Sequence, residues 1–159
     1  LLEKNKLLDL IPGIKDLISK YPEKIEVPVD LAVEVEGKRK EITLEELPTD
    51  HPIYDIGTKT IERYSKIIMK AKSIVFSGPP GVFEKEEFKK GTKELFEAIA
   101  SSKAFSLIGG GHSIAAVQSL GLAHKMSYIS TAGGALIEFL MGRKLPGVAA
   151  LEEAAKKKH

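Results

Sequence analysis

The sequence predicts an α/β fold in which a parallel sheet carries helices on its faces. Three observations predict it. Short apolar, β-branched runs alternate with longer segments of helical periodicity; the alternation repeats three times in succession; and a glycine-rich turn follows each of the three strands. Such units close with right-handed crossovers, so the strands point one way and the turns after them share one edge.

Residues 1–21 carry the spacing of a helix, with a break expected near Pro12-Gly13. Val27 to Val35 reads as a strand, and Pro28 must then sit near its start or on an edge. Gly37-Lys38 turns the chain into a short second strand near Glu41-Ile42-Thr43, and residues 44–57, with Pro48 and Pro52, read as irregular. Thr58 is placed to cap a helix whose apolar face carries Ile61, Tyr64, Ile67, Ile68 and Ala71. Ser73–Ser77 is the first of the three core strands. A helix over 85–101 follows, with Phe88, Leu95, Phe96 and Ile99 on one side. Ala104–Ile108 is the second strand, with a helix over 112–120 carrying Ile114, Val117 and Leu120. Met126–Ser130 is the third, with a helix over 133–141 carrying Ile137, Leu140 and Met141. Leu145-Pro146-Gly147 breaks the chain before a last helix over 148–157.

With 159 residues, 43% hydrophobic and 29% charged, the chain has the size of one domain with its own core. No internal repeat or Pro/Ser linker divides it. Its 24 Lys and Arg against 22 Asp and Glu leave a formal charge of +2. That balance supplies no general field for nucleic acid or an anionic membrane, and neither is expected as a partner. The absence of Cys excludes disulfides, zinc–thiolate sites and cysteine nucleophiles, and agrees with a reducing, cytoplasmic setting. No apolar run approaches the roughly 18–20 residues of a membrane span. The opening Leu1-Leu2-Glu3-Lys4-Asn5-Lys6 lacks a signal-peptide pattern and an initiator Met, so Leu1 is expected not to be the native beginning.

The chemistry lies in the turns. Gly78-Pro79-Pro80-Gly81 follows the first core strand, Gly109-Gly110-Gly111-His112-Ser113 the second and Thr131-Ala132-Gly133-Gly134-Ala135 the third. Each joins the carboxyl end of a strand to the amino end of a helix, where open α/β sheets bind ligands. Glycine lets backbone approach a ligand closely, and helix amino ends add unpaired N–H donors and a positive dipole end that suits phosphate. A single glycine turn is more often only a tight turn; three on one edge count against that. Neither common phosphate motif is met. Ile114 stands where G-x-G-x-x-G needs its last glycine, and no G-x-x-x-x-G-K-[ST] occurs. From the residues alone the reading is a phosphate or nucleotide site on an α/β edge.

At these residues the sequence resembles phosphoglycerate kinase. Ser77-Gly78-Pro79-Pro80-Gly81-Val82-Phe83-Glu84 resembles that family's N-G-P-M-G-V-F-E, and Phe88 with Gly91-Thr92 its F-x-x-G-T. Gly109-Gly110-Gly111-His112-Ser113 resembles G-G-G-D-[TS], Ser130-Thr131-Ala132-Gly133-Gly134-Ala135 resembles S-T-G-G-G-A, and Leu145-Pro146-Gly147-Val148 resembles L-P-G-V. Upstream, Val27-Pro28-Val29-Asp30 resembles L-P-V-D and Asp55-Ile56-Gly57 resembles D-I-G. The matches keep the family's order and are closest to its archaeal members.

The resemblance implies a kinase with a carboxyl group as acceptor, transferring phosphoryl reversibly between 1,3-bisphosphoglycerate and ADP to give 3-phosphoglycerate and ATP in glycolysis. Mg²⁺ enters with MgADP or MgATP. It implies a three-layer Rossmann-like sheet with helices on both faces, incomplete relative to the family domain. Residues 1–159 resemble the later part of the C-terminal nucleotide-binding domain, with a core over 53–147. The sequence lacks the N-terminal phosphoglycerate-binding domain, through which 3-phosphoglycerate would be presented, and an early G-G-x-K loop. The fragment is therefore expected to bind ADP or ATP at most and to be inactive alone.

By the same resemblance Glu84 accepts from the ribose hydroxyls. Gly109, Gly110, Gly111, His112 and Ser113 lie beside the nucleotide phosphates, Gly78 belongs to the same site, and Pro28 lies near the adenine with Val29. Gly111 and Gly134 match catalytic glycines whose N–H groups face the moving phosphoryl group. No residue is assigned as a metal ligand. Four departures bear on this. Ser77 stands for Asn, Pro80 for Met with loss of an N–H, Ala132 for Gly with a penalty on positive φ, and His112 for Asp. Mg²⁺ prefers oxygen, so His112 is read as a hydrogen-bond donor to phosphate. Two rivals remain: another phosphotransferase built on glycine turns, and a decayed, non-catalytic nucleotide-binding or interaction module marked by Ser77, Pro80 and Ala132.

Other polar residues have plainer readings. His51 and His124 read as exposed or locally bonded. Lys156-Lys157-Lys158-His159 reads as a solvated helix end, Glu86-Glu87 as complements to a helix dipole, and Asp30 as a strand-end residue rather than a Mg²⁺ contact. An exposed sheet edge is expected where earlier strands are missing, which invites self-association.

Overall fold

A computed structural model describes residues 6–157 of the chain. The predicted beginning of the first helix and the terminal Lys158 and His159 lie outside the described residues. Helix α1 (Ile11–Lys20) follows a 3-10 turn at Leu8–Leu10. The expected break at Pro12-Gly13 is absent, because Pro12 falls in the first turn, where no N–H is required of it.

Strands β1 (Asp30–Val35), β2 (Lys38–Thr43) and β3 (Ile53–Ile56) form an antiparallel sheet of order β2-β1-β3. Asp30 faces Thr43 and Val35 faces Lys38 across the hairpin, and Leu31 faces Ile56 on the other side. Two expectations change here. The strand begins at Asp30, so Pro28 precedes it. The stretch read as irregular holds β3 and a 3-10 turn, Leu44–Glu46, closed by a box in which the Thr43 N–H donates to Glu46 Oε2 at 2.7 Å.

Helix α2 (Thr58–Lys70) has Gly57, not Thr58, as its cap residue. Its first N–H groups are met from β1: Lys59 and Thr60 donate to the two Asp30 carboxylate oxygens at 2.9 and 2.8 Å. A carboxylate at a helix amino end is stabilising, so Asp30 is the structural residue expected. Strand β4 (Ser73–Ser77) follows. The helix expected over 85–101 is split, with a 3-10 turn at Glu86–Phe88 and α3 over Lys90–Ser101. Then come β5 (Phe105–Gly109), α4 (Gly111–Ser119), β6 (Tyr128–Ser130), α5 (Gly134–Leu140) and α6 (Pro146–Lys156).

Strands β4, β5 and β6 lie in that order in a parallel sheet, the predicted one. Alternation along each strand decides what is covered. Ile74, Phe76, Ile108 and Ile129 face inward against Phe96 and Ile99 of α3 and Ala116 and Val117 of α4. The Phe76 and Phe96 ring centroids are 4.5 Å apart. Ile56, Ile61 and Leu95 extend the core between α2 and α3. On the opposite face Leu136 of α5 sits against Gly109, so helices flank both faces. Further from that edge the second face is open: Val75, Phe105 and Tyr128 are 50%, 56% and 58% exposed.

Candidate functional site

Ser77 pairs with Gly109, and Gly109 with Ser130, so the three strands end side by side. The three glycine turns therefore meet at one edge, as parallel topology requires. The first and second are also tied to each other. The Gly78 N–H donates to Ser113 Oγ at 2.8 Å, and a Cβ on Gly110 would stand 3.4 Å from Ser77 Oγ. Gly110 caps α4 with φ of 86°, a conformation that an L side chain resists. The first bond of α4 runs from the Ile114 N–H to the Gly110 carbonyl at 3.0 Å. The N–H groups of Gly111, His112 and Ser113 are thus left without a backbone partner, as the first turn of a helix dictates. Gly134 likewise opens α5. The departure at Ala132 is accommodated, because the positive φ falls on Gly133 at 52°.

The turns carry few side chains able to act. Gly109 is buried, and its missing side chain is what admits Leu136. Ser113 is fully buried with its hydroxyl against Gly78, so it braces the turn from within. Glu84 and His112 remain. Their side chains are 56% and 84% exposed, and His112 Nδ1 lies 4.0 Å from Glu84 Oε1, across the gap between the first turn and the second. Pro28 is half-buried ahead of β1, where the Val29 N–H donates to Thr60 Oγ1 at 3.0 Å, and no hydrogen bond among the described residues ties it to the glycine turns.

The course of the chain to Glu84 is set from β3. The Val82 N–H donates to the Tyr54 carbonyl at 2.8 Å and the Gly81 N–H to the buried Thr92 hydroxyl at 3.3 Å. Behind them lies a polar cluster that sequence reasoning missed. Arg39 Nη1 donates to the buried Asp55 Oδ2 at 2.7 Å, Arg39 Nη2 to the Ile56 carbonyl at 2.9 Å and to Glu41 Oε1 at 3.0 Å. The Gly91 N–H completes Asp55 at 2.8 Å. Lys90 Nζ donates to the Thr58 hydroxyl, which donates to Glu41, both at 2.7 Å. Burial alone would raise the Glu41 carboxyl, but the Thr58 and Arg39 hydrogen bonds outweigh it and hold it below the ordinary carboxylate value. The signal was Arg39 and Glu41 at alternate positions on one face of β2.

The Mg²⁺ implied by the resemblance can be tested against these donors. Across residues 77–84, 109–113 and 130–135 the titratable side chains are Glu84 and His112 alone, with no lysine or arginine. No group of three His, Cys, Asp or Glu able to hold a metal occurs among the described residues. Mg²⁺ is commonly held by one or two carboxylates together with substrate phosphates and water, and Glu84 is the one carboxylate these turns could offer it. His51 and His124 are exposed and lie outside the turns, and Asp30 is occupied by α2. No helix is long and apolar enough to cross a membrane among the described residues.

The family model described as phosphoglycerate kinase matches residues 1–143. The chain is similar to the phosphoglycerate kinase of Methanococcus maripaludis, 52% identical over 145 residues, covering 90% of this chain and 35% of that protein. It is 46% identical over 160 residues to the phosphoglycerate kinase of Pyrococcus abyssi, covering 98% and 39%. The solved phosphoglycerate kinase of Pyrococcus horikoshii superposes with a TM-score of 0.88 at 44% identity, covering 98% of this chain and 39% of that one. That of Coxiella burnetii gives 0.82 at 37%, covering 89% and 38%. The chain thus spans a little over a third of the length of the relatives it matches.

Proposed function

Because the chain belongs to the phosphoglycerate kinase family, we propose that it holds the nucleotide for phosphoryl transfer between 1,3-bisphosphoglycerate and ADP, the reaction yielding 3-phosphoglycerate and ATP. The observation that supports this most is the convergence of three glycine turns on one strand edge, with the N–H groups of Gly111, His112 and Ser113 unpaired. Protein catalysis of phosphoryl transfer is largely positioning and charge stabilisation, which fixed backbone donors supply. In this reading Gly111 and Gly134 face the transferring group. Gly78, Gly109, Gly110, His112 and Ser113 form the phosphate turn. Glu84 takes the ribose hydroxyls, and Pro28 borders the base. The 159 residues serve as part of a C-terminal nucleotide-binding domain, with residues 53–147 as its core, and phosphoglycerate is held elsewhere in the enzyme. The setting is the cytoplasm, as befits a glycolytic enzyme.

Calorimetry of the 159-residue chain with MgADP, beside a coupled kinase assay, tests this. The expected outcome is weak binding without turnover, because the chain spans 35% to 39% of the length of these relatives. Near-normal turnover by this chain alone would overturn the division of labour. No heat and no thermal shift at millimolar nucleotide would favour a non-catalytic module, consistent with the N–H lost at Pro80.

A further inference from the structure

We propose that Lys85 is a positioning residue for the nucleotide: pinned on Tyr54 and Glu34, it holds the turn that carries Glu84 and so sets how well the site tells a ribose from a sugar without hydroxyls. The proposal rests on the reading of Glu84 as the ribose acceptor and adds what aims it. Glu84 is the third residue of a tight turn, Val82 to Lys85, closed by the Lys85 N–H donating to the Val82 carbonyl at 2.9 Å. Among the described residues no hydrogen bond reaches the Glu84 carboxylate, and His112 Nδ1 stays 4.0 Å away. The direction of that carboxylate therefore follows from the backbone of the turn. Both ends of the turn are fixed to the antiparallel sheet, and at one residue. The Val82 N–H donates to the Tyr54 carbonyl at 2.8 Å. Lys85 Nζ stands 4.1 Å from the centroid of the Tyr54 ring and 2.6 Å from Glu34 Oε2 of β1. Behind the turn, the buried Phe88 ring meets Tyr54 edge-on, with centroids 5.3 Å apart.

The ammonium is engaged between a ring and a carboxylate of the antiparallel sheet, so Lys85 is a brace and not a ligand for phosphate. A cation on an exposed aromatic face contributes only about two- to fivefold to an equilibrium, and an exposed ion pair no more. The brace therefore matters little to global stability. Its effect falls on the turn, which samples fewer arrangements before the ribose arrives and pays less to be ordered when it does. Hydrogen bonds to a charged acceptor are worth on the order of tenfold or more in affinity, and they are made only if the carboxylate is aimed at the sugar. Releasing the brace can forfeit no more than the brace contributes, which sets the expected loss at about threefold.

Calorimetric titration with MgADP and with its 2′,3′-dideoxy analogue tests the proposal on the 159-residue chain and its K85M, K85R, E84Q and E84Q/K85M variants. The unsubstituted chain is expected to prefer ADP by roughly tenfold or more. K85M is expected to cut that preference about threefold through weaker binding of ADP, with the affinity for the dideoxy analogue unchanged. K85R keeps a cation for both the ring and the carboxylate and should restore the preference. E84Q should lose most of the preference, and K85M added to it should remove no more. An unchanged preference in K85M, an equal loss for both nucleotides, or the same loss of preference in the E84Q background overturns the role of Lys85 and leaves Glu84 as the ribose acceptor. An E84Q variant that keeps the preference, or an unsubstituted chain that binds neither nucleotide, overturns the ribose reading and the role of Lys85 with it. The Lys85 side chain is 42% exposed, so K85M should melt within about 4 °C of the unsubstituted chain. The ratio of the two affinities is also independent of any unfolded fraction, which lowers both alike.

Discussion

Removing the Asp30 carboxylate should cost far more than a surface charge, and the structure gives the magnitude. Asp30 is 5% exposed and accepts the N–H groups of Lys59 and Thr60 at 2.9 and 2.8 Å and the Thr60 hydroxyl at 2.5 Å. The same hydroxyl accepts the N–H groups of Val29 and Asp30 at 3.0 and 3.1 Å, so one contact fixes both the start of β1 and the start of α2. Truncating a helix cap to Ala costs about 0.5–2 kcal/mol. A buried N–H left without a partner costs about 1–3 kcal/mol. Water entering the vacated space recovers part of that, so D30A should lose about 3 kcal/mol. For a chain of this length that lowers the melting temperature by roughly 6–12 °C.

Gly57 makes the reasoning stricter. A Cβ there would stand 2.6 Å from Asp30 Oδ1 and closer still to Cγ, so G57A should lose about 1–3 kcal/mol by overpacking. Its φ of −79° is one any residue adopts, so backbone strain adds nothing. Once Asp30 is Ala, the obstacle is gone, and G57A should add only the cost of Ala being a poorer cap than Gly, up to about 1 kcal/mol. Urea unfolding of the chain, both single variants and the double variant reads the coupling directly, provided the slope with denaturant is unchanged. A D30A loss under about 1 kcal/mol, or strictly additive effects, would refute the account of how the carboxylate holds α2.

Arg39→Met should be more damaging, because it leaves the fully buried Asp55 carboxylate with only backbone N–H partners; a loss of about 3–5 kcal/mol in urea unfolding is expected. Pairing it with Asp55→Asn should restore part of that loss, and failure of any rescue would locate the cost elsewhere than in the stranded charge. Glu41 makes a pH prediction. Its carboxyl is held below the ordinary value of 4.5, so its contribution to stability is present above that value and is lost as pH falls through the lower, folded one. Melting temperature against pH should therefore fall less steeply below pH 4.5 in E41Q than in the unsubstituted chain, and parallel acid limbs would rule the contribution out.

The parallel sheet was legible because its signals are local: Ile74 and Phe76 alternate with exposed neighbours, and each strand ends in glycines that its own backbone needs. Strand β3 was not legible, and Asp55 shows why. A carboxylate within Ile53-Tyr54-Asp55-Ile56 reads as loop, and it becomes tolerable in a buried strand only when Arg39 and the Gly91 N–H close on it from 16 and 36 residues away. The same long-range closure moved the start of α3 to Lys90, since the chain from Gly81 to Phe88 is drawn along β3 by the Val82–Tyr54 bond before it is free to coil. The candidate site divides along that line. That Gly110 bends and α4 begins could be read from the glycines. That His112 faces Glu84 could not, since each belongs to a different turn and nothing in either motif names the other. Glycine turns tell which backbone can approach an anion. Only the side chains that meet across them, as Glu84 and His112 do at 4.0 Å, tell which polar groups an anion would find there.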